Sequence, residues 1–246
     1  MMTAALRSDL APAGRLRVGI NYGNPVLANK DPATGALRGV AVGLALELGR
    51  PTDLPVDLIG FADAAKMFAA VRAGGWDAAF LAIDPQRAGE IDFTAAYLLI
   101  EGTYLVPAGS PYCSNDEVDR PGVRIGVLSN SAYDLFLSRS IKQAQLVRGS
   151  GPESAFQLIL DGKVDVVAGV RQSLIANAAK LPGSRVFDGR FMAIEQALGI
   201  PRGHDLAAKY LRGFIEDLKA SGLLTNAIAK AGVRGVAVAP AAAVAQ

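Results

Sequence analysis

The sequence predicts an α/β fold of two lobes, each with a mainly parallel sheet flanked by helices. Short apolar runs, typical of buried strands, alternate with amphipathic segments of about ten residues, typical of helices. This alternation occurs in the amino-terminal part and again beyond about residue 120. Of the 246 residues, 51% are hydrophobic and 20% are charged, which is ample for the core of one large domain or two small ones.

The first part contains three strands and two helices. Strands are predicted over residues 17–20, 57–60 and 78–82, and helices over residues 40–49 and 62–73. In the second helix, Met67, Phe68 and Val71 share one face, and Gly74 and Gly75 end it. Strands separated by helices of this length indicate βαβ units with parallel pairing.

The second part repeats the pattern and ends in two further helices. Strands are predicted over residues 124–128, 145–148 and 164–168, and helices over residues 132–140 and 154–160. A long amphipathic helix over residues 205–221 and a shorter one over residues 223–231 follow. The Ala-rich residues 236–246, interrupted by Pro240, are expected to form a short extended or frayed end.

Charge and reactive side chains exclude several functional classes. The net charge is only +2 and basic residues are scattered, so no strong field favours nucleic acid or an anionic membrane. A single cysteine, Cys113, excludes an internal disulfide and is expected to be an incidental thiol. With one histidine, His204, the chain lacks the partners for a catalytic triad or a zinc site. We therefore expect no metal and no cofactor.

The residues around Arg87 give the strongest functional signal. An apolar run that starts at Trp76 ends in Asp84 and Pro85, which indicates a buried strand that passes into a loop. Arg87 then lies beyond the carboxyl end of a strand, where open α/β sheets place their ligands. Because a guanidinium binds a carboxylate through two parallel hydrogen bonds, the pattern predicts a small-anion site.

This segment is one of several motifs spread over residues 14–238. The others are the opening strand at residues 16–20, a hairpin-like turn at 35–39, a strand and loop at 123–131, and a Gly-x-x-Asp strand at 162–167. Together with the order Trp76-Asp77, Arg87, Phe93-Thr94, they resemble the amino-acid-type extracellular solute-binding proteins of ABC transporters. The resemblance implies the type II periplasmic-binding-protein fold, a ligand cleft between the lobes and hinge closure around the ligand.

The resemblance also implies that the chain crosses twice between the lobes, near Ile100 and Ala193. Lobe one is then residues 15–100 with 193–238, lobe two is residues 101–192, and residues 1–14 and 239–246 are terminal extensions. A monomer that serves a transporter permease is expected. Residues 1–14 lack the apolar core of a secretory signal, and no run approaches the ~20 apolar residues that span a bilayer. A periplasmic and a cytoplasmic location therefore both stay open.

Two candidate ligand contacts belong to the Arg87 segment. Arg87 matches the family's carboxylate-binding arginine, and the alternative is a surface arginine paired with Glu90. Asp84 is either a ligand contact or simply the turn former before Pro85.

Three more candidates in lobe one come from the other loops. Asn21 and Asn24 follow the first strand, in a loop that lines the family's cleft, although asparagine is also common in turns. Lys66 lies near a family ligand position at the start of a helix. It is either a second cation, which would favour an acidic ligand, or a solvated lysine.

In lobe two, Ser129, Asn130 and Ser131 match the family's loop before a helix. The backbone N–H groups of that loop and the Ser131 hydroxyl are expected to hold part of a carboxylate, and Ser131 is also a plain N-cap. Both roles are compatible.

Two departures from the family concern the ligand. The strand before Arg87 ends in residues 79–82, Ala-Phe-Leu-Ala, which offer no side-chain hydrogen bonds. The family's ammonium-binding acid falls at Val170, followed by Arg171. Because a buried ammonium without a carboxylate partner costs several kcal/mol, we expect a carboxylate or another small organic anion. Glu195 is the one acid placed to substitute; its alternative is ordinary polarity in a hinge strand.

An enzyme is the rival class. The same fold resembles cyclohexadienyl dehydratases, whose catalytic glutamate acts as a general acid after the Gly-x-x-Asp strand. Residues 168–173 here contain no acid, so no catalytic residue is assigned. A transport-independent cytoplasmic binding protein is the third class.

Overall fold

The structure, a computed structural model, describes residues 2–151, 153–233 and 235–243. Within these residues the strands are β1 (Leu16–Asn21), β2 (Asn29–Lys30), β3 (Leu37–Arg38), β4 (Val56–Phe61), β5 (Ala78–Ala82), β6 (Ile91–Phe93), β7 (Leu98–Val106), β8 (Arg124–Leu128), β9 (Gln145–Gly149), β10 (Val166–Val170), β11 (Arg185–Val186), β12 (Met192–Pro201) and β13 (Val236–Val238). The helices are α1 (Ala4–Leu10), α2 (Val40–Thr52), α3 (Ala64–Ala69), α4 (Pro85–Ala88), α5 (Ala132–Ser140), α6 (Ser154–Leu160), α7 (Arg171–Ala178), α8 (Asp205–Ala220) and α9 (Leu223–Lys230).

The chain packs into two compact units. Unit 1 contains the described residues up to Leu99 and those from Glu195 onward, and unit 2 contains the described residues between Ile100 and Ile194. The unit boundaries fall inside β7 and β12, so each of these strands contributes residues to both units.

Unit 1 is built on the strand order β4-β1-β5-β12. The pairs β1–β4 and β1–β5 are parallel, whereas β12 pairs antiparallel with β5 and also with β6. All five residues of β5 are buried, which explains its uninterrupted apolar sequence. On one face of the sheet Met67 and Val71 pack with Trp76, whose indole N–H donates to the Met67 carbonyl at 2.8 Å.

Unit 2 is built on the order β7-β10-β8-β9, in which β8 pairs parallel with β9 and β10, and β7 pairs antiparallel with β10. Alternate residues enter two cores because successive side chains of a strand point to opposite faces. Val166 and Ala168 belong to one apolar cluster, whereas Val167 belongs to the other with Phe156 and Ile159 of α6.

The two units fix their parallel strands with the same pair of residue types. In unit 1 the Arg17 backbone N–H and Nε donate to Asp77 Oδ2 at 2.8 and 3.1 Å. In unit 2 the Arg124 N–H and Nε donate to Asp165 Oδ2 at 2.8 and 3.1 Å. Each arginine lies near the amino end of its strand. The loops that carry the candidate ligand contacts follow the carboxyl ends of the parallel strands, at the opposite edge of each sheet.

Four predicted elements have the observed bounds, namely β5, β8, α5 and α6. The predicted helix over residues 62–73 is wrong in extent, because α3 covers only Ala64–Ala69. Asp63 sets its start by accepting the Lys66 N–H at 2.8 Å, and beyond Ala70 the helix gives way to turns in which the Val71 N–H donates to the Phe68 carbonyl and the Gly74 N–H to the Val71 carbonyl. The strand predicted over residues 164–168 begins two residues later. Its register is set by neighbouring strands, with Val170 opposite Gly102 of β7.

The predicted turn at residues 35–39 is also displaced. Leu37 forms part of β3, and the chain reverses earlier, where the Gly35 N–H donates to the Asp31 carbonyl at 2.8 Å. The Asp31 carboxylate accepts the N–H groups of Ala33 and Thr34, which fixes the turn at this place.

The leader contains a helix that periodicity did not predict, whereas three residues of the tail have the extended conformation that was expected. Residues of the polar leader form α1, and Asp9 in that helix accepts the Ala207 N–H of α8 at 2.9 Å and lies 3.0 Å from His204 Nδ1. In the Ala-rich tail Val236–Val238 form β13, whereas residues 244–246 lie outside the described residues.

Candidate functional site

The candidate residues of unit 1 lie along one edge of its sheet. Asn21, the last residue of β1, is paired with Phe61, the last residue of β4, and Ala82 at the end of β5 is paired with Gln196 of β12. Because parallel strands share the direction of their carboxyl ends, the loops that follow β1, β4 and β5 emerge at this edge.

Arg87 is buried there, with only 1% of its surface exposed. One guanidinium nitrogen donates to the Ala82 carbonyl at 3.0 Å, at the end of β5. Burial lowers the pKa of Arg87 to about 10, and the negative charge of Asp84 opposes that shift, so the guanidinium is charged at neutral pH. The alternative of a surface arginine paired with Glu90 is wrong, because Arg87 is buried and Glu90 accepts two hydrogen bonds from Arg72 at 2.8 Å.

Asp84 caps the short helix that carries Arg87. Its carboxylate accepts the Gln86 N–H at 2.9 Å, and Pro85 takes the first position of α4, where a missing N–H costs nothing. Asp84 is 3% exposed, and its negative charge helps to compensate the charge of Arg87. The turn-forming role is therefore present, and a ligand role for Asp84 stays a prediction.

Asn21 and Asn24 both shape the loop after β1. The Asn21 side-chain oxygen accepts the Gly23 N–H at 2.9 Å, and that of Asn24 accepts the Val26 N–H at 3.2 Å. The loop touches the residue that follows β4, since a Cβ added at Gly23 would lie 2.0 Å from the Ala62 carbonyl oxygen. The turn role that the sequence left open is therefore present, and a ligand contact by either asparagine stays a prediction.

Lys66 and Glu195 are exposed members of the same unit. The Lys66 side chain is 68% exposed and its ammonium lies 3.6 Å from Asp63, the cap of α3. Glu195 is exposed, and its carbonyl accepts the Ile83 N–H at 2.9 Å, next to the Arg87 segment. A ligand role for either side chain stays a prediction.

The candidates of unit 2 lie along the corresponding edge of its own sheet. Ser131 is 7% exposed and caps α5 by accepting the Asp134 N–H at 3.1 Å. Asn130 takes a left-handed conformation, with φ of 56°, and its N–H donates to Asp134 Oδ2 at 2.8 Å. The Ser129 N–H donates to the Gly149 carbonyl at the end of β9. The structure thus gathers Ser129, Asn130 and Ser131 into one tight turn.

Asp134 and Arg148, which sequence reasoning missed, support this turn. Asp134 is buried, and its Oδ1 accepts the Arg148 Nε at 3.0 Å. The spacing Ser131-x-x-Asp134 was a usable signal, because a serine followed three residues later by an acid is typical of a capping box. Burial raises the pKa of Tyr133 to about 12, and the hydroxyl therefore stays protonated at neutral pH.

The position expected for the ammonium-binding acid is apolar. Val170 ends β10 and is 9% exposed, and Arg171 begins α7. The Arg171 Nε donates at 2.6 Å to Glu101, which lies on the neighbouring strand β7. Sequence reasoning missed Glu101 because it assigned no strand at residues 98–106, and the two residues are 70 positions apart.

The described residues contain no group of three or more His, Cys, Asp or Glu side chains placed to hold a metal ion. None of the helices that they form has the length and hydropathy to cross a membrane. Cys113 is an exposed free thiol, and His204 contacts Asp9 of α1.

The chain matches the model of the bacterial extracellular solute-binding proteins, family 3, over residues 16–232. No curated protein sequence matches it. Among solved structures, the solute receptor for L-cysteine of Neisseria gonorrhoeae is 22% identical, with a TM-score of 0.78 over 95% of this chain and 96% of that one.

A histidine kinase sensor domain with similarity to periplasmic binding proteins is 18% identical, with a TM-score of 0.78 over 92% of this chain and 98% of that one. An ancestral amino-acid-binding protein, a precursor of cyclohexadienyl dehydratase, is 20% identical, with a TM-score of 0.75 over 93% of this chain and 99% of that one. These likenesses confirm the predicted type II periplasmic-binding-protein fold.

Proposed function

Because the chain belongs to the bacterial extracellular solute-binding proteins of family 3, we propose that it binds a small organic carboxylate as the substrate-binding component of an ABC transporter. The amino-acid receptors among its structural neighbours support a solute of that size. The carboxylate, and not an α-amino acid in particular, is argued from this chain's own residues.

The burial of Arg87 is the observation that carries the proposal. A charged guanidinium that is almost fully buried attracts a carboxylate more strongly than an exposed one does, because the surrounding medium screens the charges less. Its planar group is also shaped to donate two parallel hydrogen bonds to one carboxylate. The segment Asp84–Pro85 positions the arginine because it starts α4 immediately after β5.

In unit 2, the turn of Ser129, Asn130 and Ser131 supports the same class of ligand. It lies at the end of β8 and at the start of α5, where the helix dipole favours negative charge, although the backbone N–H groups of Ser129, Asn130 and Ser131 already donate within the protein. The Ser131 oxygen accepts the Asp134 N–H, and a hydroxyl in that role can still donate its hydrogen to a ligand oxygen.

Replacing Arg87 tests the proposal. We expect Arg87→Ala to lower the affinity for the best carboxylate by roughly 30-fold or more, since truncating one partner of a buried charge pair costs at least about 2 kcal/mol. The measurement is isothermal titration calorimetry, after a thermal-shift screen of carboxylates has selected the ligand.

Arg72→Ala is the matched control, because it removes a positive charge from the same part of unit 1 without touching the buried guanidinium. Arg72 is exposed and pairs with Glu90, whose backbone N–H donates to the Arg87 carbonyl at 3.0 Å. An exposed ion pair contributes little, so this variant is expected to bind the same carboxylate within about twofold of the wild type. Equal affinity in the Arg87→Ala and Arg72→Ala variants would contradict the proposal.

The absence of a catalytic step is part of the proposal. Residues 168–173, where the dehydratase resemblance would place a general acid, contain none. We expect prephenate-like acids to be recovered unchanged after incubation with the protein, as measured by chromatography. Their consumption at a rate that scales with protein concentration would favour the enzyme instead.

A further inference from the structure

Three charged side chains form a cluster at the edge of unit 2 where β10 ends. The Arg171 Nε donates to Glu101 at 2.6 Å, and Arg190 lies 3.8 Å from the other oxygen of the same carboxylate. We propose that this cluster is a specificity determinant that accepts a second acidic group of the solute and rejects an α-ammonium group. The inference rests on the proposed function and names the class of solute, a dicarboxylate.

The strand register places the cluster beside the other candidate contacts of unit 2. Val170 pairs with Gly102, so Glu101 and Arg171 lie next to each other on adjacent segments. Parallel pairing of β10 with β8 brings the end of β10 to the same edge as Ser129, which follows β8. The cluster is thus part of the edge that already carries the proposed carboxylate contacts.

The charge of the cluster favours an anion. One carboxylate faces two guanidinium groups, which leaves an excess of positive charge. An incoming ammonium would meet a Glu101 that is already bound to Arg171, and it would also be repelled by both arginines. An incoming carboxylate is attracted by the excess positive charge, and the Arg171 bonds to Glu101, Phe187 and Gly189 use three of the five N–H donors of its guanidinium.

Arg171 is held so that it can act as a fixed donor. Besides Glu101, its guanidinium donates to the Phe187 carbonyl at 2.9 Å and to the Gly189 carbonyl. These bonds hold the orientation of a group that carries five N–H donors in all. The side chain is 18% exposed, so part of it can be reached by a ligand without the entropy cost of ordering a free side chain.

The start of α7 adds to the same preference. Arg171 is the first residue of this helix, and Val170 at the cap position has no side chain that could bond to the N–H groups of the first turn. The positive end of the helix dipole therefore adds to the two guanidinium charges.

The test compares matched probes on the full-length protein. Calorimetric titrations with dicarboxylates of four to six carbons, the monocarboxylates of equal length and the α-amino acids of equal length give three affinities for each chain length. We expect the preferred dicarboxylate to bind at least about tenfold more tightly than its monocarboxylate, which corresponds to one extra charged contact. We expect Arg171→Gln to remove that preference and to leave the monocarboxylate affinity within about threefold.

Two further variants separate a specific role from a folding defect. Arg190→Gln changes an exposed partner of the cluster and is expected to weaken the binding of the dicarboxylate alone. Arg124→Gln removes an arginine–carboxylate pair from the opposite end of β8 and is expected to leave the preference unchanged. If Arg171→Gln does not fold, Arg190→Gln serves as the test: weaker binding of the dicarboxylate alone supports the inference, and an unchanged preference for the dicarboxylate overturns it.

The outcomes distinguish this inference from the proposed function. Equal affinity of the wild type for dicarboxylates and monocarboxylates, or tighter binding of the α-amino acids, overturns the inference while binding itself stands. A preference for dicarboxylates that survives in both Arg171→Gln and Arg190→Gln also overturns it. Failure of every carboxylate to bind overturns the proposed function, and the inference with it.

Discussion

Among single residues, Gly23 shows most directly that the candidate site depends on how closely backbone segments approach one another. Its loop carries Asn21 and Asn24 and lies against the carbonyl of Ala62. There is no room for a side chain at this point, although the glycine has no left-handed conformation to explain it. The sequence indicates a loop here, and only the packing shows why a glycine is needed.

We expect Gly23→Ala to destabilise the protein and to weaken carboxylate binding, because the added Cβ would lie 2.0 Å from the Ala62 carbonyl oxygen and the loop must move. Gly43→Ala in α2 is the control, since a Cβ there meets nothing within 4 Å. It should stabilise the protein by roughly 0.5–1 kcal/mol, as alanine does in a helix interior. Urea unfolding measures both, and equal stability of the two variants would contradict the packing argument.

Among the elements, the Arg–Asp pair at the amino end of the strands recurs in both units. Each aspartate follows a glycine by three residues, Gly74 before Asp77 and Gly162 before Asp165, and both glycines have positive φ, at 61° and 67°. The glycine ends the preceding helical turn, and the aspartate then fixes the next strand against the first one. One short sequence pattern therefore contributes to strand order in both units.

Acid titration tests the role of this pair in unit 2. The side-chain hydrogen bonds from Arg124 hold the pKa of Asp165 below its usual range. A carboxylate whose folded pKa is lowered stabilises the fold above its unfolded pKa, and that stability is lost as the pH falls through the folded pKa. Asp165→Asn should therefore cost roughly 1 kcal/mol at pH 7, and the difference from wild type should shrink below about pH 4.

The control for this prediction is Asp57→Asn, which removes an exposed pair with Arg15. We expect little change in its unfolding midpoint, because exposed ion pairs contribute little. Chemical unfolding between about pH 3 and pH 7 measures both variants. A difference for Asp165→Asn that stays constant across this range would argue against the hydrogen-bonded carboxylate as its cause.

In the molecule as a whole, the two units differ in whether each is formed by one continuous segment of the chain. Unit 2 is one continuous segment with its own apolar clusters on both faces of its sheet. Unit 1 is discontinuous: β12 must return to pair with β5, and α8 must supply Leu211 and Ile215, both of which are almost fully buried.

This difference predicts the behaviour of fragments. A fragment of residues 98–194 should unfold cooperatively in urea, because it retains the strands β7 to β10 and both clusters. A fragment of residues 2–97 should show no cooperative unfolding transition in urea, because it lacks β12 and α8. Circular dichroism during urea titration measures both, and a cooperative transition in the amino-terminal fragment would contradict this account.

The fold class, the family and the position of Arg87 beyond a buried strand could all be predicted from the sequence alone. So could the bounds of elements whose periodicity is local, such as β8 and α5. The family follows from motifs that resemble those of known members, whereas the element bounds are accessible because burial on one face and capping at an end affect the choice of residues within a few neighbouring positions.

Only the folded structure shows which charged side chains are buried and which of them form ion pairs. The burial of Arg87 and the pairing of Arg171 with Glu101, 70 residues away, depend on which strands lie side by side. No short stretch of sequence specifies that neighbour, because strand pairing joins distant segments through backbone hydrogen bonds that carry no residue identity. For the same reason the strands Leu98–Val106 and Met192–Pro201 could be assigned only once their partners were known.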